Sequence, residues 1–117
     1  MRKFLFIFLM FISLICYGFT EEHGKATYYS KGCTSFTASG VRMNPYEMTC
    51  AHKTLPFGTK LKVTDKKSGK SVVVKVTDRG PYAKGRIVDL SWEAARQLDM
   101  LKKGVIDVVI ELVKESE

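Results

Sequence analysis

The chain of 117 residues contains only two histidines and three cysteines. Neither type recurs at the paired spacing of a tetrahedral metal site, so a zinc-built fold is excluded and no metal is expected. Clustered charge is just as sparse. The formal net charge is +7, yet beyond Arg2-Lys3 the adjacent lysine pairs are only Lys66-Lys67 and Lys102-Lys103. A scattered basic excess favours acidic polymers or surfaces in general. With no nucleic-acid-binding motif beside it, it makes no case for DNA or RNA as a partner. A long apolar run is also missing. The main candidate, Phe4 to Cys16, falls short of the ~20 residues that a membrane-spanning helix requires.

That run reads instead as the core of a secretory signal peptide covering residues 1–18. Arg2 and Lys3 precede it, the small residue Gly18 follows, and a polar stretch begins at Thr20. The expectation is an exported protein of the periplasm or cell envelope. Residues 19–23 then form a short leader, 24–114 a single domain and 115–117 a tail. Cys16 would carry a lipid anchor if a small side chain preceded it; Ile15 stands there, so Cys16 is read as one more apolar residue of the leader. Removing the leader lowers the net charge to about +5. It also leaves Cys33 and Cys50, which in an exported protein read as one disulfide. Closing a loop of about 18 residues, it would stabilise by about 3 kcal/mol. Two buried thiols are the alternative.

Six segments have strand character: 24–30, 48–52, 59–64, 71–77, 86–91 and 105–113. The fourth, Ser71 to Thr77, is β-branched almost throughout and should be buried. One helix follows Ser91, with Ala94, Ala95, Leu98 and Leu101 on one face and Glu93 in the first turn. Residues 31–47 are rich in Gly, Ser, Thr and Asn and form a long loop, a feature that is usually functional or pinned. Six short strands around so small a core point to a closed barrel, which leaves no free edge. The string Lys-Val-Thr-Asp occurs twice, at 62–65 and 75–78, a hint of two related halves.

The two copies end differently. The first runs into the polar turn Lys66-Lys67-Ser68-Gly69, the second into Arg79-Gly80-Pro81-Tyr82. Gly80 allows a sharp turn and Pro81 stiffens it. Asp78 thus stands at the end of a buried strand on a rigid corner, where a carboxyl group could exchange protons or merely cap the turn. Asp65 reads as solvated. His52 is the only histidine of the expected domain and reads more readily as structural than as catalytic. Asp89, inside an apolar strand, reads as structural, held by backbone donors or Arg86. Trp92, Tyr28, Tyr29 and Tyr82 could face a sugar, though each could equally be packing.

Taken together, the segments Gly-Lys-Ala-Thr-Tyr-Tyr-Ser (24–30), Thr-Ala-Ser-Gly (37–40), Ala-His-Lys-Thr-Leu-Pro-Phe-Gly-Thr (51–59) and Asp-Arg-Gly-Pro with Gly-Arg-Ile-Val-Asp-Leu-Ser (78–81 and 85–91) closely resemble the RlpA (rare lipoprotein A) family. The resemblance runs from Gly24 to about Val113. It implies a six-stranded double-psi β-barrel of the barwin and expansin type with one or two short helices. It implies a lytic transglycosylase that needs no cofactor and acts on peptidoglycan glycan strands, preferably peptide-poor ones; a monomer is the default expectation. Such an enzyme cuts the β-1,4 bond between N-acetylmuramic acid and N-acetylglucosamine and leaves a 1,6-anhydro end. Asp78 and His52 match the family's functional residues, and Arg79, Tyr29, Tyr82 and Glu47 are candidates to contact substrate. One position departs from the pattern. Val41 stands where the family carries Glu, and valine cannot move a proton. The alternative is therefore a non-catalytic glycan-binding module of the expansin kind.

Overall fold

The computed structural model describes residues 20–114. The signal peptide, Cys16 and the tail at 115–117 lie outside the described residues. Six strands, β1 (Glu21–Tyr28), β2 (Thr49–Ala51), β3 (Lys60–Asp65), β4 (Ser71–Asp78), β5 (Arg86–Leu90) and β6 (Ile106–Leu112), close into a barrel in the order β1-β5-β2-β4-β3-β6. Two pairs, β1 with β5 and β2 with β4, run parallel, and the other four contacts are antiparallel. Closure gives every strand two partners and leaves no ladder open to solvent.

The interior follows from period-two alternation. On β4, Val72, Val74 and Val76 point inward while Ser71, Val73 and Lys75 face out. Leu61 and Val63 of β3, Val88 and Leu90 of β5, and Val108 and Ile110 of β6 complete the same core. The first strand begins earlier than the sequence indicates. Glu21, Glu22 and His23, read as a leader, pair with Glu111, Ile110 and Val109 of β6. Pairing with an outer neighbour recruits polar residues that carry no strand signal of their own.

A single short helix, α1 (Trp92–Gln97), is present among the described residues. Ser91 caps it, its side chain accepting from the Ala94 amide at 3.2 Å. The helix stops before Leu101 because Asp99 adopts a left-handed conformation, φ 58°. The chain beyond it is anchored where the Tyr28 hydroxyl donates to the Leu101 carbonyl at 2.7 Å.

Three expectations are corrected. Cys33 and Cys50 are both free thiols rather than a disulfide. Cys50 sits inside the barrel at 1% exposure, while Cys33 lies on the outer loop next to Ser35. Sequence spacing cannot say that one of two cysteines faces the core. Asp65 is buried, not solvated, and its carboxylate accepts from the Lys67 amide at 2.9 Å to cap the β3–β4 turn. Asp89 is held by the Thr27 hydroxyl of the neighbouring strand, not by Arg86.

Candidate functional site

Asp78 is the last residue of β4, and strict alternation after Val72, Val74 and Val76 would aim it into the core. A bulge prevents this. Cys50 of β2 pairs with Val76 but Ala51 pairs with Asp78, so Thr77 is an extra residue on β4. A bulge re-aims the side chain beyond it. Asp78 is half-buried rather than sealed in, and its carboxylate lies where three elements meet. Oδ1 accepts from the Ala38 amide at 2.8 Å and the Arg79 amide at 2.9 Å. Oδ2 accepts from the Tyr29 hydroxyl at 2.7 Å.

Those contacts position the long loop. The turn 37–41 is closed by Gly40 donating to the Thr37 carbonyl and Thr37 donating to the Val41 carbonyl, and Ser39 donates to the Thr77 carbonyl at 3.2 Å. The loop that the sequence marks as functional or pinned is pinned by the bulged end of β4, without any disulfide. Burial, reinforced by the hydrogen bond to Asp78 and the nearby charges of Asp78 and Asp89, drives the Tyr29 phenol far above its ordinary range. Tyr29 therefore remains protonated and keeps its hydroxyl for hydrogen bonding to Asp78. Asp89, read as structural from sequence, is close enough for its charge to act on Tyr29 and on Cys50.

His52 sits beside Asp78 through the main chain, its amide donating to the Asp78 carbonyl at 3.2 Å. Its side chain, however, is 5% exposed and is fully used elsewhere. Nδ1 accepts from the Thr54 amide at 3.2 Å and the Leu55 amide at 3.1 Å. Because Nδ1 accepts, the ring proton resides on Nε2, which donates to Glu22 at 3.0 Å. Sequence reasoning missed Glu22, since nothing local links it to a residue thirty positions away.

Arg79 is likewise committed. Its guanidinium donates to the carbonyls of His52 at 3.1 Å and Leu55 at 2.8 Å, and stacks 4.1 Å from the Phe57 ring. His52 and Arg79 together fix the turn 52–57 from two sides. Tyr82 is different: it is 75% exposed. Its ring lies over Gly80, where a Cβ would stand 3.6 Å from it. Gly80, at φ 116°, precedes a cis bond to Pro81. Val41 and Glu47 line a common cleft next to the 37–41 turn. The site therefore gathers Asp78, Tyr29 and the 37–41 turn, with His52 and Arg79 supporting the corner and the exposed Tyr82 ring four residues further along the chain. No cluster of residues able to hold a metal ion occurs among the described residues.

Residues 21–110 match the family model described as lytic transglycolase. The chain is 48% identical over 93 residues to a probable endolytic peptidoglycan transglycosylase RlpA of Nostoc, covering 77% of this chain and 25% of the relative. It is 46% identical over 97 residues to the endolytic peptidoglycan transglycosylase RlpA of Vibrio cholerae, covering 82% of this chain and 36% of the relative. The chain thus spans well under half the length of these relatives. Among solved structures, a mutant Clavibacter michiganensis expansin in complex with cellohexaose superposes with a TM-score of 0.62 at 28% identity, covering 83% of this chain and 52% of that one.

Proposed function

The chain belongs to the lytic transglycosylase family of double-psi β-barrels, and from that premise we propose that it cleaves the β-1,4 bond between N-acetylmuramic acid and N-acetylglucosamine in peptidoglycan strands, leaving a 1,6-anhydro end. The observation that carries this reading is the Asp78 carboxylate: half-exposed at a bulged strand end and held by donors from three separate elements. The endolytic peptidoglycan transglycosylases similar to this chain support the substrate.

The chemistry needs one group that both gives and takes a proton. Oδ1 of Asp78 is occupied by two backbone amides, which cannot turn away. Oδ2 meets only the Tyr29 hydroxyl, which can accept as well as donate. Oδ2 is therefore the oxygen free to carry the proton. It protonates the glycosidic oxygen as the C1–O4 bond breaks. The same carboxylate then takes the proton of the muramic acid 6-hydroxyl as that oxygen bonds to C1. The proton count closes without water or a second carboxylate, which is why Val41 need not abolish turnover. His52 and Arg79 act as positioning residues that hold the turn 52–57 against the corner at Asp78. Tyr82 supplies an exposed ring for a sugar face. Such a protein works where its substrate lies, in the cell envelope, as a monomer.

A second reading is favoured by one observation. Val41 is 54% exposed and places an aliphatic side chain in the cleft. The similar mutant expansin in complex with cellohexaose supports a barrel of this kind that holds a glycan. Digestion of purified, peptide-free glycan strands, followed by mass spectrometry, separates the two. Anhydro-ended fragments that fall by about 10²–10⁴-fold in Asp78→Asn support the enzyme. Binding without fragments supports the module, and ends carrying added water would exclude the intramolecular mechanism.

A further inference from the structure

A cleft of about 550 Å³ opens beyond the 37–41 turn, between Val41 and Glu47. It continues into a narrower recess of about 60 Å³ that reaches Lys75 and Thr77 on β4. Through Thr77 the recess comes within one residue of Asp78 on the same strand. The turn 37–41 separates the two regions and touches both: the Ala38 amide holds Asp78, while Val41 lines the cleft.

The walls of this cleft are built rather than loose. The Tyr46 amide donates to the Asn44 side chain at 2.9 Å. The backbone amide of Glu93, in α1, donates to the Pro45 carbonyl at 2.9 Å. The Tyr46 ring packs edge-on against Trp92, with centroids 6.2 Å apart and planes at 79°. Lys31 approaches both rings. Even so, Tyr46 remains 61% exposed, an aromatic face held in place and open to the cleft. Beside it, the exposed Glu47 carboxylate receives no hydrogen bond or ion pair from the described residues. A rigid aromatic face next to a free carboxylate is the chemistry that takes a pyranose: the ring stacks on the apolar face, and neighbouring hydroxyls donate to the two oxygens.

We propose that this cleft is a second saccharide subsite, across the 37–41 turn from Asp78, in which Tyr46 stacks on a sugar ring and Glu47 accepts from its hydroxyls. The proposal rests on the glycan reading above. It makes Glu47 a substrate-holding residue rather than a replacement acid. The subsite sets how much glycan strand must be present for tight binding.

The test is calorimetric, in the full domain carrying Asp78→Asn so that nothing is cleaved. Peptide-free glycan tetrasaccharide and disaccharide are titrated into this protein and into versions that also carry Tyr46→Ala or Glu47→Gln. The tetrasaccharide should bind more tightly than the disaccharide. Each added substitution should weaken the tetrasaccharide about tenfold, Glu47→Gln by weakening a hydrogen bond to a charged group and Tyr46→Ala by removing the stacked ring, and leave the disaccharide unchanged. Tetrasaccharide affinity that survives both substitutions overturns the subsite alone. Failure of either oligosaccharide to bind any version overturns the subsite and the glycan reading together.

Discussion

His52 offers the sharpest test of how this site is built. If its ring is a strut, replacing it damages the fold first and turnover only as a consequence. His52→Ala removes the acceptor for the Thr54 and Leu55 amides and the donor to Glu22. Each buried donor left without a partner costs about 1–3 kcal/mol. Water reaches exposed Thr54 and half-buried Leu55, so the lower half of that range applies, and the two amides together cost about 2–4 kcal/mol. For a domain of this size the melting temperature should fall by roughly 10–25 °C. His52→Asn is the informative companion. Its Oδ1 can take the place of Nδ1 and accept the two amides, but an amide cannot shuttle a proton at neutral pH. Thermal unfolding by circular dichroism should therefore show Asn recovering part of the loss seen with Ala. Turnover on peptide-free glycan strands, measured well below the transition and normalised to folded protein, should stay within a few fold of the parent. A hundredfold loss of turnover in His52→Asn with near-parental melting would refute the reasoning, because the imidazole would then be moving a proton itself.

Other consequences follow from particular contacts. Gly24→Ala places a Cβ 2.6 Å from Ile87 Cγ2 and 3.1 Å from the Gly85 carbonyl; overpacking of this kind should cost about 1–3 kcal/mol in chemical denaturation, and Ile87→Ala in the same chain should reduce the added cost. Without the leader, native protein should label at Cys33 and not at Cys50, whose thiol is pushed up to about 12 by burial and then by Asp89; both should label in denaturant, and failure of both to label before reduction would restore the disulfide. Glu93 is held down to about 2, first by its hydrogen bond to Arg96 and then by that to Gln97. A carboxylate depressed in the folded state stabilises fully above its unfolded value near 4.5 and loses that contribution as pH falls through about 2. Glu93→Gln should therefore flatten the stability profile between those limits, and a carboxyl NMR titration with a midpoint near 4.5 would contradict it.

Much of the fold was legible because its signals are local. The alternation in Ser71–Asp78, the Ser91 cap and the turn at Gly69 each act within a few residues, and the β-strand and helix positions follow from them. The stiff corner Arg79-Gly80-Pro81 likewise marks Asp78 in the sequence. What could not be read was direction in space. Alternation alone would have turned Asp78 into the core; the register shift opposite Ala51, a property of two paired strands, turned it out. The partners of its carboxylate, Tyr29 and the Ala38 amide, lie 49 and 40 residues away. The same limit hid Glu22 behind His52, put Cys50 inside the barrel and Cys33 outside, and left Asp65 looking solvated. The sequence by itself determined which segments extend, where they turn and which acid stands on a rigid corner, because propensity and periodicity are short-range. Only the closed barrel decided what each side chain faces, because pairing between distant strands sets register, and register sets the side of the sheet on which a residue emerges.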